Sequence, residues 1–139
     1  MRDESINGQV SLHTMVNRIV ASSLSHATRK NSFIINDVPV GMYVHANENM
    51  LATVFGSLLN AVITNTHNTC IRVSAKFYGK IVLLNLRETY QLNSSSFANS
   101  LRQIQQLAEK IGGTVSVSHN QGEATTIVFS FLNNLSAAA

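Results

Sequence analysis

The 139-residue chain predicts an α+β fold: a two-layer α/β sandwich whose mixed, mostly antiparallel sheet is covered on one face by three helices. Three observations predict it. Apolar residues recur at helical spacing in three stretches, around residues 9–29, 47–63 and 101–111. Two pairs of short apolar runs, within 71–86 and 114–131, are each joined by a turn and read as hairpins. Helices and strands do not alternate strictly, which argues against a fully parallel sheet.

In chain order, the first helix spans about residues 9–29, with Leu12, Met15, Val16, Ile19, Val20 and Ala27 on one stripe. Two short strands follow at 32–35 and 42–45, divided by a turn-rich stretch holding the sole proline, Pro39. The second helix starts near Asn47, which can cap the free amides, while Glu48 complements the helix dipole. Its face is Leu51, Val54, Phe55, Leu58, Leu59, Val62 and Ile63, and it stops in a polar loop at 64–69. Ile71, Val73, Ala75 and Phe77 then alternate with Arg72, Ser74 and Lys76, as a half-buried strand requires. Gly79 turns the chain into 81–86, apolar enough for a central strand. The polar segment 93–96 is expected to be a loop. The third helix carries Leu101, Ile104, Leu107, Ala108 and Ile111, and Gly112-Gly113 ends it. A last hairpin pairs 114–119 with 125–131. One domain is expected over 9–132, with 1–8 disordered or a linker and 133–139 a frayed tail.

Hydrophobic residues make up 45% of the chain and charged residues 12%, which fits a globular domain and argues against disorder. The net charge of +3 reflects few acids, and only Arg29 and Lys30 are adjacent cations. No basic stripe forms, so no nucleic-acid partner is expected. The single cysteine, Cys70, excludes an internal disulfide and reads as a small hydrophobe in a reducing compartment. No apolar run approaches the roughly 18 residues of a membrane helix, and the polar N-terminus has no signal-like core, so a cytoplasmic location is expected.

The five histidines lack metal-ligand spacing with one another or with Cys70 and the acids. No Gly-x-Ser-x-Gly occurs, and the glutamates are too dispersed to form an acid/base pair. No catalytic residue and no metal site is therefore expected.

Three stretches carry a family resemblance: the helix at 47–66, the helix at 101–113 closed by Gly-Gly, and 114–131, where Gly122-Glu-Ala-Thr-Thr-Ile resembles a closing Gly-x-Gly-Thr-x-Phe. Together they make residues 9–132 similar to the histidine-kinase-like ATPase family, which includes the catalytic domains of sensor histidine kinases. The resemblance implies an N-box helix at 47–66, with the magnesium-holding Asn position on Ala61 and an earlier N-box Asn position on Ser57. Asn60 is adjacent to Ala61, but one residue is about 100° around a helix. After the strand at 81–86, Glu88 stands at the adenine-binding Asp position, and Tyr90 and Leu92 replace glycines. The phosphate-loop glycines preceding the third helix correspond to Ala98 and Ser100, the closing Thr to Thr125, and the lid is shortened to 93–97.

The resemblance thus implies a degenerate nucleotide site made of Ser57, Asn60, Ala61, Glu88, Tyr90, Ala98, Ser100 and Thr125, with no cofactor expected. The implied function is a regulatory or protein-interaction module in two-component signalling, without normal ATP turnover. Its partner would be a response regulator or a kinase partner domain, with no nucleic acid and no membrane. The alternative is an atypical but active catalytic domain binding ATP with magnesium through Asn60 and Glu88. A third reading is an unrelated adaptor sharing only the sandwich shape. The first helix corresponds to the one after the phosphoacceptor hairpin of histidine kinases, so the chain is expected to lack that hairpin. His13 is followed by Thr14 and Met15, where the family's phosphorylated histidine precedes an acid and an Arg.

Overall fold

Alternation of buried and exposed residues sets the architecture of the computed structural model, which describes residues 9–89, 94–119 and 124–133. The elements are β1 (Gln9–Ser11), α1 (Leu12–Ser22), α2 (Leu24–Arg29), β2 (Phe33–Asn36), β3 (Tyr43–His45), α3 (Glu48–Thr64), β4 (Cys70–Tyr78), β5 (Ile81–Glu88), α4 (Ser94–Glu109), β6 (Thr114–His119) and β7 (Thr125–Leu132). The main sheet has the order β2-β4-β5-β7-β6, and β1 pairs with β3 in a separate two-stranded sheet. β4–β5, β5–β7 and β6–β7 are antiparallel. β2 runs parallel to β4, because the intervening chain crosses over through α3. The expected mixed, mostly antiparallel sheet is what forms.

On β5, Val82, Leu84, Leu86 and Glu88 are buried while Ile81, Leu83, Asn85 and Arg87 are not. On β7, Thr125, Ile127, Phe129 and Phe131 are buried. Side chains of period two therefore send one face of the sheet into the core. Against it pack the helical stripes: Leu12, Met15 and Val16 of α1, Val54, Phe55, Leu58 and Leu59 of α3, and Phe97, Ile104 and Ala108 of α4. Phe55 is fully buried, and truncating such a ring to Ala costs about 3–5 kcal/mol.

The first helix is not the continuous element expected. Residues 9–11 form β1 instead, since Ser11 is the N-cap of α1 and accepts from the Thr14 amide at 3.3 Å. A break follows at Ser23, whose amide is shared between the Ile19 and Val20 carbonyls, while the Ser22 hydroxyl donates back to the Ile19 carbonyl at 2.9 Å. Such back-bonding competes with the helical ladder and bends it.

α4 begins at Ser94, so residues 94–96 are helical and not the expected loop. Buried Phe97 anchors this early start, ahead of the expected stripe from Leu101. Its other end behaves as expected. Gly112, at φ +73, donates to Glu109, and Gly113 donates to Ala108, the paired bonds of a Schellman stop.

Asn133, assigned to the tail in the sequence reading, donates to the Lys80 carbonyl and accepts from the His45 amide, each at 2.7 Å. The expected linker 1–8 and the tail from 134 lie outside the described residues.

Candidate functional site

α3 starts as the sequence predicts. The Asn47 side chain accepts from the Met50 amide at 3.0 Å, and Glu48 sits in the first turn. The helix buries Leu51, Val54, Phe55, Leu58, Leu59, Ala61, Val62 and Ile63. Ala61 is thus on the core side, Ser57 half-buried, and Asn60 exposed. This is the turn of about 100° per residue made concrete. The carbonyl of Ala61 is taken by both the backbone and side-chain amides of Asn65, and Thr66 donates to Val62 at 2.7 Å.

Glu88 ends β5, with Ile71 opposite it on β4 and Thr125 opposite it on β7. Opposed residues share a face, so Glu88 and Thr125 both point into the helix-covered side, where they are 1% and 0% exposed. A run of hydroxyls holds this end together. Thr69 Oγ1 donates to Glu88 Oε2 at 3.2 Å and accepts from the Thr89 amide at 3.2 Å. The Thr69 proton is committed to the carboxylate, so the 3.0 Å contact between the two threonine hydroxyls has Thr89 as donor. Thr89 Oγ1 accepts in turn from the Cys70 amide, and Ser32 Oγ accepts from the Thr69 amide, both at 3.3 Å.

The structure therefore brings Glu88 and Thr125 together, keeps Ala61 buried, and leaves Asn60 facing outward. Ala98 and Ser100 lie inside α4, not in a loop ahead of it. Ala98 is exposed and Ser100 half-buried. Beyond the first turn of a helix, amides bond to carbonyls four residues back, so the Ser100 amide is not free to meet a phosphate. Tyr90, Leu92, Gly122 and Glu123 lie outside the described residues. Sequence reasoning missed Thr69, Thr89 and Ser32. Thr69 sits in a polar loop and Ser32 and Thr89 beside strand ends, where periodicity says nothing of their partners, and only the strand register shows that Thr69 meets Glu88.

His13 has both ring nitrogens engaged. Nδ1 lies 2.8 Å from the Val38 carbonyl, which only accepts, so Nδ1 carries the proton and Nε2 accepts from Asn17 Nδ2 at 3.2 Å. Asn36 completes the cluster, donating to the His13 carbonyl and Asn17 Oδ1 and accepting from the Val38 amide. These bonds tie α1 to the β2–β3 connection.

Among the grooves bounded by described residues, two of the roomier lie away from Glu88. One, of about 430 Å³, is lined by residues of α1, α2 and β2, including Leu24 and Phe33. The other, of about 270 Å³, separates the start of α3 from the end of α4 and includes Met50, Ile111 and Phe131. Among the described residues, no group of three or more His, Cys, Asp or Glu is placed to hold a metal, and no helix is long and apolar enough to cross a membrane.

No family model matches the sequence, and no curated protein matches it. Solved structures do match. The fold is that of the ATP-binding catalytic domains of histidine kinases. The Acinetobacter baumannii histidine kinase AdeS superposes with a TM-score of 0.76 at 13% identity, over 91% of this chain and 66% of that one. The catalytic domain of the histidine kinase ThkA gives a TM-score of 0.71 at 11% identity, over 90% of this chain and 94% of that one. ThkA in complex with the response regulator TrrA gives 0.68 at 11% identity, over 90% of this chain and 41% of that one.

Proposed function

We propose that the chain is a degenerate histidine-kinase-like domain that serves as a regulatory or protein-interaction module in two-component signalling, without normal ATP turnover. The observation that carries this reading is on α3. The position where the family holds magnesium with an Asn is Ala61, packed in the core, while the neighbouring amide of Asn60 is exposed on another side of the helix. Ala61 has no side-chain oxygen with which to ligate a hard cation, and its carbonyl is taken by Asn65. Helical placement of Ala98 and Ser100 supports the same reading, because a phosphate needs free amides. Residues at these positions do not fit magnesium-ATP in the family's manner. The partner proposed is a response regulator, by analogy with the ThkA–TrrA complex.

A second reading keeps nucleotide binding and rests on Glu88. Its carboxylate, beside Thr69 and opposite Thr125, is a polar acceptor retained where the family binds the adenine amino group. Incubating the chain with labelled ATP, magnesium and a panel of response regulators separates the two. The leading reading expects no hydrolysis or phosphoryl transfer above the protein-free blank, together with saturable binding of a regulator. Turnover that Asn60→Ala removes establishes the second reading instead.

A further inference from the structure

The sheet face turned away from the helices has its own pattern. Residues in register share a face, so Arg72, Lys76 and Tyr78 of β4 stand beside Arg87, Leu83 and Ile81 of β5, and Ile81 beside Leu132 of β7. Arg72 and Arg87 are directly opposite each other, a placement of like charges that disfavours strand pairing. Asp37 pairs with Arg72, but among the described residues no carboxylate pairs with Arg87 or Lys76. At the opposite end of the same face, Tyr78 is 74% exposed and Leu132 48%. The open face is cationic at one end and apolar at the other.

We infer that this open face docks a protein partner whose surface presents carboxylates next to apolar side chains. Charge complementarity selects that partner. Among the described residues no acid satisfies Lys76 or Arg87, and arginine with aromatic residues is the composition favoured at protein interfaces. A second copy of this chain would bring the same cations against them, so face-to-face self-association is opposed. Nucleic acid suits the face less well, since Tyr78 is the one exposed ring at its apolar end among the described residues, and Ile81 and Leu132 beside it offer a base nothing to stack on. The surface is on the other side of the sheet from Glu88 and Thr125, and it stands whatever the nucleotide end does.

An array of short peptides alternating Asp or Glu with Leu, Phe or Val, with a single-stranded oligonucleotide alongside, tests it on the full chain. At least one peptide binds, more weakly as salt rises. Affinity falls about tenfold in Lys76→Ser/Arg87→Ser and about tenfold in Tyr78→Ser/Ile81→Ser, and Arg87→Lys retains most of it. Unfolding midpoints of the cation variants do not fall, since removing Arg87 only relieves its opposition to Arg72, and this separates lost binding from lost folding. No peptide binding, binding indifferent to both double variants, or tighter binding of the oligonucleotide than of any peptide overturns the inference.

Discussion

Thr69 Oγ1 donates a 3.2 Å hydrogen bond to Glu88 Oε2, joining the residue before β4 to the last residue of β5 at a point where both are at most 2% exposed. A buried carboxylate depends on such donors, because its desolvation is otherwise uncompensated. Thr69→Val keeps the shape and removes the donor. It is expected to lower stability by about 1–3 kcal/mol in urea unfolding, and an unchanged midpoint would show that the bond contributes nothing net.

Gly112 and Gly113 stop α4 for different reasons, and their substitutions should rank accordingly. Gly112 has φ +73 with open space around it, so Gly112→Ala meets only the backbone penalty, about 1 kcal/mol. A Cβ on Gly113 would sit 2.7 Å from the Ser130 carbonyl and 3.0 Å from the Phe129 ring. Gly113→Ala must move β7, and about 1–3 kcal/mol is expected. Thermal unfolding of the two variants checks the order, and Gly112→Ala as the worse of the two would contradict it.

The His13–Asn17–Asn36 cluster makes a structural role for His13 testable. Asn36→Ala removes two donated bonds and the acceptor of the Val38 amide. Expected are a loss of about 1–3 kcal/mol and faster hydrogen exchange at Val38, with Asn36→Asp keeping the Val38 protection because its oxygen still accepts. Equal exchange in all three proteins would show that the cluster does not hold the β2–β3 connection.

Asn60 is exposed, so Asn60→Ala should change stability by no more than about 0.5 kcal/mol. Ala61→Asn buries an amide in the core side of α3 and should cost about 1–3 kcal/mol. Denaturant midpoints of both variants check the facing of the helix. The reverse order would mean that Asn60, not Ala61, faces inward.

Much of this was legible in the sequence wherever a period was long. α3, with seven apolar residues on one stripe, and the β4–β5 hairpin, with strict alternation ending at Gly79, formed as read. Two boundaries failed for local reasons. Ser11 is an N-cap signal that places residues 9–11 outside the helix, and the Ser22-Ser23 pair interrupts a stripe that Ala27 continues only by spacing. Residues 94–96 read as a loop from their polarity, whereas buried Phe97 draws them into α4. At the site, buried Ala61 was not part of the apolar face read from the sequence, whereas the different facing of Asn60 and Ala61 followed from helix geometry. The contact of Thr69 with Glu88 did not, because it depends on a register between strands that local sequence cannot encode.

The central claim is that the nucleotide site is lost, and thermal unfolding with and without millimolar magnesium-ATP or ADP tests it most directly. A ligand that binds only the folded state at 100 times its dissociation constant adds about 2.7 kcal/mol, several degrees for a domain of this size. The account predicts superimposable curves. A rise in the midpoint that Asn60→Ala or Glu88→Ala abolishes would contradict it and establish a working site.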